Sequence, residues 1–170
     1  AAFTEEGKEV ALCALPLYHI FAFTVNCLGM LYKGNANALI TNPRELGTVV
    51  KAFKDYPISV VTGVNTLFNA LANNEDFKSL DFSNLKLTNG GGTAVQPAIA
   101  ELWKKVTGCF LAEGYGLTEA SPVVTMNPLD GTGRLGYIGM PIPSCDVRIV
   151  DDNNQPLGID AVGELQVKGP

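Results

Sequence analysis

From Val10 to Tyr32 the chain carries no Asp, Glu, Lys or Arg, and no other feature narrows its structural options so sharply. A charge-free stretch of that length has two homes, a lipid bilayer or the interior of a fold. Pro16 interrupts the run, Tyr18 and His19 follow, and Asn26 lies deeper in. Acidic Glu5, Glu6 and Glu9 occupy the flank that would be basic in a signal peptide. The run therefore reads as a buried strand over residues 10–15 followed by a buried helix from about Ile20. That predicts a soluble protein. Composition agrees, because 46% hydrophobic with only 17% charged residues supplies a core that a disordered chain lacks.

The rest of the first two-thirds repeats one alternation. Short apolar runs at residues 36–41, 58–62, 85–88 and 109–112 read as strands, and helical periods lie between them. Asn42 and Glu45 form a capping box around Pro43, leading into Leu46, Val49, Val50 and Phe53, with Pro57 as the stop. Asn65 is placed to cap a helix whose apolar face is Leu67, Phe68 and Leu71. Residues 97–107 form a third helix, with Ile99, Leu102, Trp103 and Val106 inward and Gly108 as its end. Strands separated by helices of this length predict an α/β fold, a mostly parallel sheet flanked by helices. After about Asn127 the period becomes two. Residues 145–150 and 163–168 then read as a hairpin, with Asp151 to Asn154 as a solvated turn. The expected division is an α/β subdomain over 1–127 and the start of a β-rich subdomain over 128–170. A length of 170 residues that begins at Ala1 and stops after Gly169-Pro170 is expected to be a piece of a larger protein.

Several functions are disfavoured at this stage. A net charge of −5 without any basic cluster argues against a nucleic-acid partner. Cys13, Cys27, Cys109 and Cys145 are scattered, no Cys-x-x-Cys pair occurs, and the single His19 cannot complete a zinc site. All four are expected to be buried thiols in a reducing compartment.

Chemistry is expected in two glycine segments. Asn89-Gly90-Gly91-Gly92-Thr93 leads from a strand to a helix, and Glu113-Gly114-Tyr115-Gly116-Leu117-Thr118-Glu119 follows the next strand. Both should leave the carboxyl edge of a parallel sheet, where open α/β sheets bind ligands. Tyr115 offers a face for a nucleobase, Thr118 a hydroxyl and an amide for a phosphate oxygen, and Glu119 a hard oxygen for Mg²⁺. Three glycines at a turn are more often structural, so the first segment alone is a weak signal, and it is no Walker loop because no Gly-Lys-Ser/Thr follows. Neither segment has the third glycine of a dinucleotide fingerprint. Glu113 nevertheless lies about where an acid would bind ribose, so a Rossmann-like NAD-binding domain stays open as an alternative.

Tyr115-Gly116-Leu117-Thr118-Glu119 resembles the core motif of the AMP-forming adenylating enzymes, the superfamily of acyl-CoA synthetases, luciferases and peptide-synthetase adenylation domains. Leu15-Pro16-Leu17-Tyr18-His19-Ile20-Phe21 is similar to an upstream motif of that family, and the run from Gly163 to Pro170 to a downstream one. Among its members the chain looks most like bacterial long-chain fatty-acid–CoA ligases, through Ile40-Thr41-Asn42-Pro43-Arg44, the run from Thr62 to Leu71, and Glu113-Gly114-Tyr115. Another acyl- or aryl-CoA ligase of the superfamily is the nearest alternative.

The resemblance implies a two-step ligase with ATP, Mg²⁺ and coenzyme A, the last as a substrate, acting on a fatty acid. His19, Thr118 and Glu119 would be catalytic. Gly90, Gly91, Gly92, Glu113, Gly114, Tyr115, Gly116, Leu117 and Thr118 would bind ATP and AMP. His19, Phe23, Val64 and Gly92 would meet the acyl chain, with Phe23 as a gate, and Glu119 would hold the metal. The resemblance also implies a cytoplasmic enzyme, compatible with peripheral association at the inner membrane face and with a homodimeric parent. The family's Ser/Thr/Gly-rich phosphate loop, its ribose-binding Asp, its hinge and its C-terminal domain are not in this sequence, and Thr93-Ala94 stands where relatives often carry proline. A central piece of a larger enzyme, inactive by itself, is the expectation.

Overall fold

The computed structural model describes residues 4–169, so Ala1 and Pro170 lie outside the described residues. Five short strands carry the parallel part: β1 (Val10–Cys13), β2 (Ala36–Leu39), β3 (Val60–Gly63), β4 (Leu87–Gly90) and β5 (Leu111–Gly116). They pair in the order β2-β1-β3-β4-β5. β6 (Val123–Met126) and β7 (Met140–Pro141) extend the same sheet on the β5 side by antiparallel pairing. A separate antiparallel pair, β8 (Asp146–Val150) with β9 (Glu164–Lys168), matches the expected hairpin and leaves Asp151 to Asn154 in an exposed turn.

The charge-free run resolves into β1 and one helical segment, residues 20–32. Turns of α-helix at Ile20–Ala22 and Met30–Tyr32 flank a π-helical stretch at Phe23–Gly29. The π-helical stretch carries Asn26, which is fully buried, and the Thr62 hydroxyl donates to its Oδ1 at 2.8 Å. Met30 packs with Ala11 and Val60, so this segment covers one face of the sheet. Among the described residues no helix is long and apolar enough to cross a membrane.

The main core gathers Leu12 and Val61 from the sheet with Val49, Phe68, Leu71, Phe77 and Trp103 from the helices Leu46–Asp55, Asn65–Ala72, Glu75–Lys78 and Pro97–Thr107. Trp103 is fully buried and meets Phe68 edge-on, with ring centroids 4.9 Å apart. Edge-on pairs set the positive ring edge against the negative face. Gly108 ends its helix in the left-handed conformation, as expected of a C-terminal glycine.

Several local expectations are corrected. The helix expected from Pro43 starts at Leu46, because the Asn42 side chain accepts from the Arg44 amide at 3.3 Å and so holds a turn instead. Asn42 does reach Glu45, at 2.7 Å, but outside any helix. Asn65 is the first residue of its helix rather than the cap, and its Oδ1 accepts from the Gln96 amide at 3.0 Å, tying two helices together. Glu113 to Gly116 belong to β5 and are not a loop, because β6 pairs with Gly114, Tyr115 and Gly116. Of the four free cysteines, Cys13 and Cys109 are buried, which raises both thiols above the ordinary value. Cys27 and Cys145 are only half-buried, against expectation.

Candidate functional site

The order β2-β1-β3 places a topological switch between β1 and β3, where the chain turns from one side of the sheet to the other. The crevice outside the carboxyl ends of such strands is where open α/β sheets hold ligands. A cavity of about 690 Å³ lies there, walled by Leu15 after β1, Val64 and Leu67 after β3, and Pro43, Arg44 and Leu46 after β2. Apart from the Arg44 guanidinium, His19 and Thr66, its walls carry apolar residues or glycine. A smaller cavity of about 140 Å³ opens at the carboxyl ends of β4 and β5, against Gly90, Gly91, Tyr115 and Thr118. His19, Phe21 and Gly92 line both. The two cavities therefore meet along a wall of three residues, two from the start of the helical segment and one from the first glycine segment.

His19 sits at this junction because the sequence caps a helix with it. Its Nδ1 accepts the Phe21 amide at 3.2 Å, in place of the intrahelical partner that amide lacks. A neutral imidazole accepting through Nδ1 carries its proton on Nε2, so Nε2 is a donor. Phe21, two residues on, is buried and borders both cavities. Phe23, the expected gate, is 43% exposed and lines neither cavity. Helical phase explains the difference, since two residues are about 200° apart around a helix. Sequence reasoning passed over Phe21, because helical spacing from His19 points to Phe23, one turn on, whereas His19 is the cap and not part of the helical face.

Val64 lines the larger cavity and Gly92 both, as the acyl-site expectation requires. Gly90, Gly91, Gly114, Tyr115, Gly116, Leu117 and Thr118 all line the smaller one, so most of the expected nucleotide residues share one space. Tyr115 is 37% exposed, enough for one ring face to meet a ligand. Thr118 and Glu119 form a short 3₁₀ turn with Ala120, and both are exposed. Glu119 lies one residue beyond the cavity wall.

Glu113 is the exception among the nucleotide residues. It is 7% exposed, and its carboxylate accepts the Val95 amide at 2.9 Å. It fastens the first glycine segment to β5 and, although absent from the wall of the smaller cavity, lines a neighbouring one of about 250 Å³ with Gly92, Gly114 and Tyr115. That engagement also removes the acid a Rossmann site would need, and the first glycine turn follows β4 rather than β1. The NAD-binding alternative is not favoured.

The remaining wall was not legible beforehand. Pro122, Val123 and Met126 reach the smaller cavity only because β6 folds back on β5. Asn89 also lines it, as the first residue of the glycine segment that the sequence singles out.

Comparison with known proteins points the same way. The profile of a family described as AMP-binding enzyme matches residues 1–170. A long-chain-fatty-acid–CoA ligase from Escherichia coli O6:H1 is 53% identical over 164 residues, covering 96% of this chain and 29% of the relative. The corresponding ligase of Yersinia pestis is 53% identical over 170 residues, covering 100% of the chain and 30% of the relative. The chain thus spans about 30% of the length of these curated relatives. The crystal structure of an anthranilate CoA ligase in complex with anthranoyl-AMP superposes with a TM-score of 0.87 at 23% identity, covering 97% of this chain and 32% of that one. At that identity it shows the fold alone.

Proposed function

Because the chain belongs to the AMP-binding enzyme family, we propose that it forms the junction of acid and nucleotide sites in a long-chain fatty-acid–CoA ligase. Residues 1–127 carry the chemistry, and 128–170 begin a β-rich subdomain. One observation carries this reading: an apolar cavity of about 690 Å³ and a smaller one beside Tyr115 and Thr118 share His19, Phe21 and Gly92 as a common wall. A substrate with an apolar tail in the larger cavity and its carboxylate at that wall would meet the nucleotide residues there. In the first step the carboxylate oxygen attacks the α-phosphorus of ATP, the bond to pyrophosphate breaks, and acyl-AMP forms. In the second, the coenzyme A thiolate attacks the acyl carbonyl and AMP leaves.

Each residue then has a physical task. The larger cavity buries the alkyl chain, whose transfer from water contributes about 0.8 kcal/mol per CH₂. Nε2–H of His19 donates to a carboxylate or phosphate oxygen at the junction, and Phe21 keeps water from it. Tyr115 stacks on the adenine, and Thr118 donates to the α-phosphate, where negative charge grows in the transition state. Glu119 would hold Mg²⁺. Among the described residues no group of three His, Cys, Asp or Glu side chains could hold a metal alone. A single exposed carboxylate nevertheless suits Mg²⁺, which takes one or two carboxylates plus phosphate oxygens and water. Bound there, it would neutralise phosphate charge.

The test is a hybrid in which this chain replaces the matching segment of the Escherichia coli relative. The hybrid should form palmitoyl-CoA from palmitate, ATP and coenzyme A. A folded hybrid that binds ATP yet supports no palmitate-dependent ATP–pyrophosphate exchange would overturn the reading.

A further inference from the structure

The larger cavity is apolar along its middle and has a cationic residue, Arg44, on the loop that leaves the edge strand of the sheet. Its walls are built by segments leaving four neighbouring strands, in the order β2-β1-β3-β4. Gly92 follows β4 and, with His19 and Phe21, forms the wall shared with the smaller cavity. Arg44 follows β2, and no residue of that loop borders the smaller cavity. The ends of β2 and β4 stand three strand spacings, about 14 Å, apart across the sheet. Leu15, Val64 and Leu67 wall the space between them. An acid whose carboxylate lies at the junction therefore runs its tail toward Arg44.

Nothing in the protein engages the Arg44 side chain. The residue is exposed, and its main-chain amide is tied to Asn42 Oδ1 at 3.3 Å. Among the described residues its guanidinium makes neither an ion pair nor a hydrogen bond, whereas Lys51 on the helix that follows is paired with Asp55. A held backbone thus presents five N–H donors with no protein acceptor. An alkyl terminus brought to this group gains nothing from it. A carboxylate there meets a planar fork that suits bidentate pairing, and apolar walls strengthen such a pair relative to open water.

Resting on the adenylate reading above, we propose that Arg44 is a specificity-determining residue that lets the larger cavity take an α,ω-dicarboxylic acid. One carboxylate lies at the junction and is adenylated as in a monoacid. The other stays ionised and unreacted against the Arg44 guanidinium.

Steady-state kinetics of the hybrid ligase test this with acids matched in length, dodecanoate against dodecanedioate and palmitate against hexadecanedioate. The readout is the ratio of kcat/KM for the diacid to that for the monoacid, in which any general loss of activity or of folded protein cancels. We expect Arg44→Met to lower that ratio about fivefold at the length whose second carboxylate reaches the guanidinium. Arg44→Lys keeps the charge and should hold the ratio within twofold of the unmodified hybrid. Added KCl should erode the ratio of the unmodified hybrid and leave that of Arg44→Met in place. Failure of the unmodified hybrid to use either diacid, a ratio unmoved by Arg44→Met at both lengths, or an equal fall in Arg44→Lys would overturn the proposal. Inactivity of the unmodified hybrid with both monoacids would instead count against the adenylate reading itself.

Discussion

The two glycine segments beside the smaller cavity lack side chains for different reasons. At Gly90, a Cβ would come 2.5 Å from Cγ2 of Val95 and 3.5 Å from the Phe68 ring. Both neighbours are side chains, and Val95 can change rotamer. At Gly116, a Cβ would run into the backbone carbonyl of Pro122, whose oxygen accepts the Leu117 amide at 2.8 Å. There the neighbour is main chain held by the turn over Ser121 and Pro122. The first glycine makes room for packing and the second for a backbone, so the second segment is the more rigidly specified.

That contrast can be broken, beginning with its largest expected effect. Gly116→Ala should force β5 and β6 apart and cost about 3 kcal/mol, in the upper part of the range for overpacking, read as a fall in the urea midpoint. A variant as stable as the parent would erase the distinction. Next come Thr118→Ala and Glu119→Ala, which touch no core. Each should lower the adenylation rate of the hybrid about a hundredfold without moving Tm, and the ATP–pyrophosphate exchange assay reads this directly. Gly90→Ala should be milder, about 1.5 kcal/mol for a displaced Val95 rotamer. A loss equal to that of Gly116→Ala would show that the first segment is just as unyielding.

The smallest effect concerns the far end of the sheet, which serves as a reference. Glu9 is 1% exposed, and its Oε1 accepts from Lys86 at 2.9 Å and from the Glu5 amide at 2.7 Å. Burial raises its pKa, but the Ser59 hydroxyl nearby, the Glu5 amide and Lys86 together outweigh it and hold the carboxyl below the ordinary value of 4.5. A carboxyl lowered in the folded state stabilises the fold above its unfolded pKa. That contribution is lost as pH falls through the lower folded value. Thermal melts between about pH 6 and about pH 3 should show an acid limb that Glu9→Gln flattens. Catalytic parameters near neutral pH should not change with it.

The parts of this molecule that repeat at short range were legible in its sequence. Trp103 and its helix, closed by Gly108, follow from one apolar face and one glycine. His19, Val64 and the two glycine segments were placed by motif and strand edge, and they do meet around adjoining cavities. What stayed hidden depends on long-range pairing. Nothing local in Glu113-Gly114-Tyr115-Gly116 favours a strand, and β6 imposes one. Likewise the bond of the Glu113 carboxylate to the Val95 amide, from a separate loop, has no signal in the sequence. Phe23 was chosen over Phe21 because it lies one helical turn after His19, but His19 is an extended cap residue from which helical phase does not run.

The π-helical stretch has a consequence for which lengths of this chain can survive. His19 anchors one end of the helical segment through its cap, and Met30 anchors the other against Ala11 and Val60. Each residue of a helix turns the chain by about 100°. A π-helical turn holds about one residue more than an α-helical one, so deleting a single residue between Phe23 and Gly29 should restore ordinary helix and leave Met30 against the sheet, whereas a second deletion would turn Met30 away by about 100°. Substitutions on the outer side of this segment, at Leu28 or Leu31, should be easily absorbed. Insertions, or deletions of more than one residue, should not be, because the segment sets the angle at which the face bearing Met30 meets the sheet.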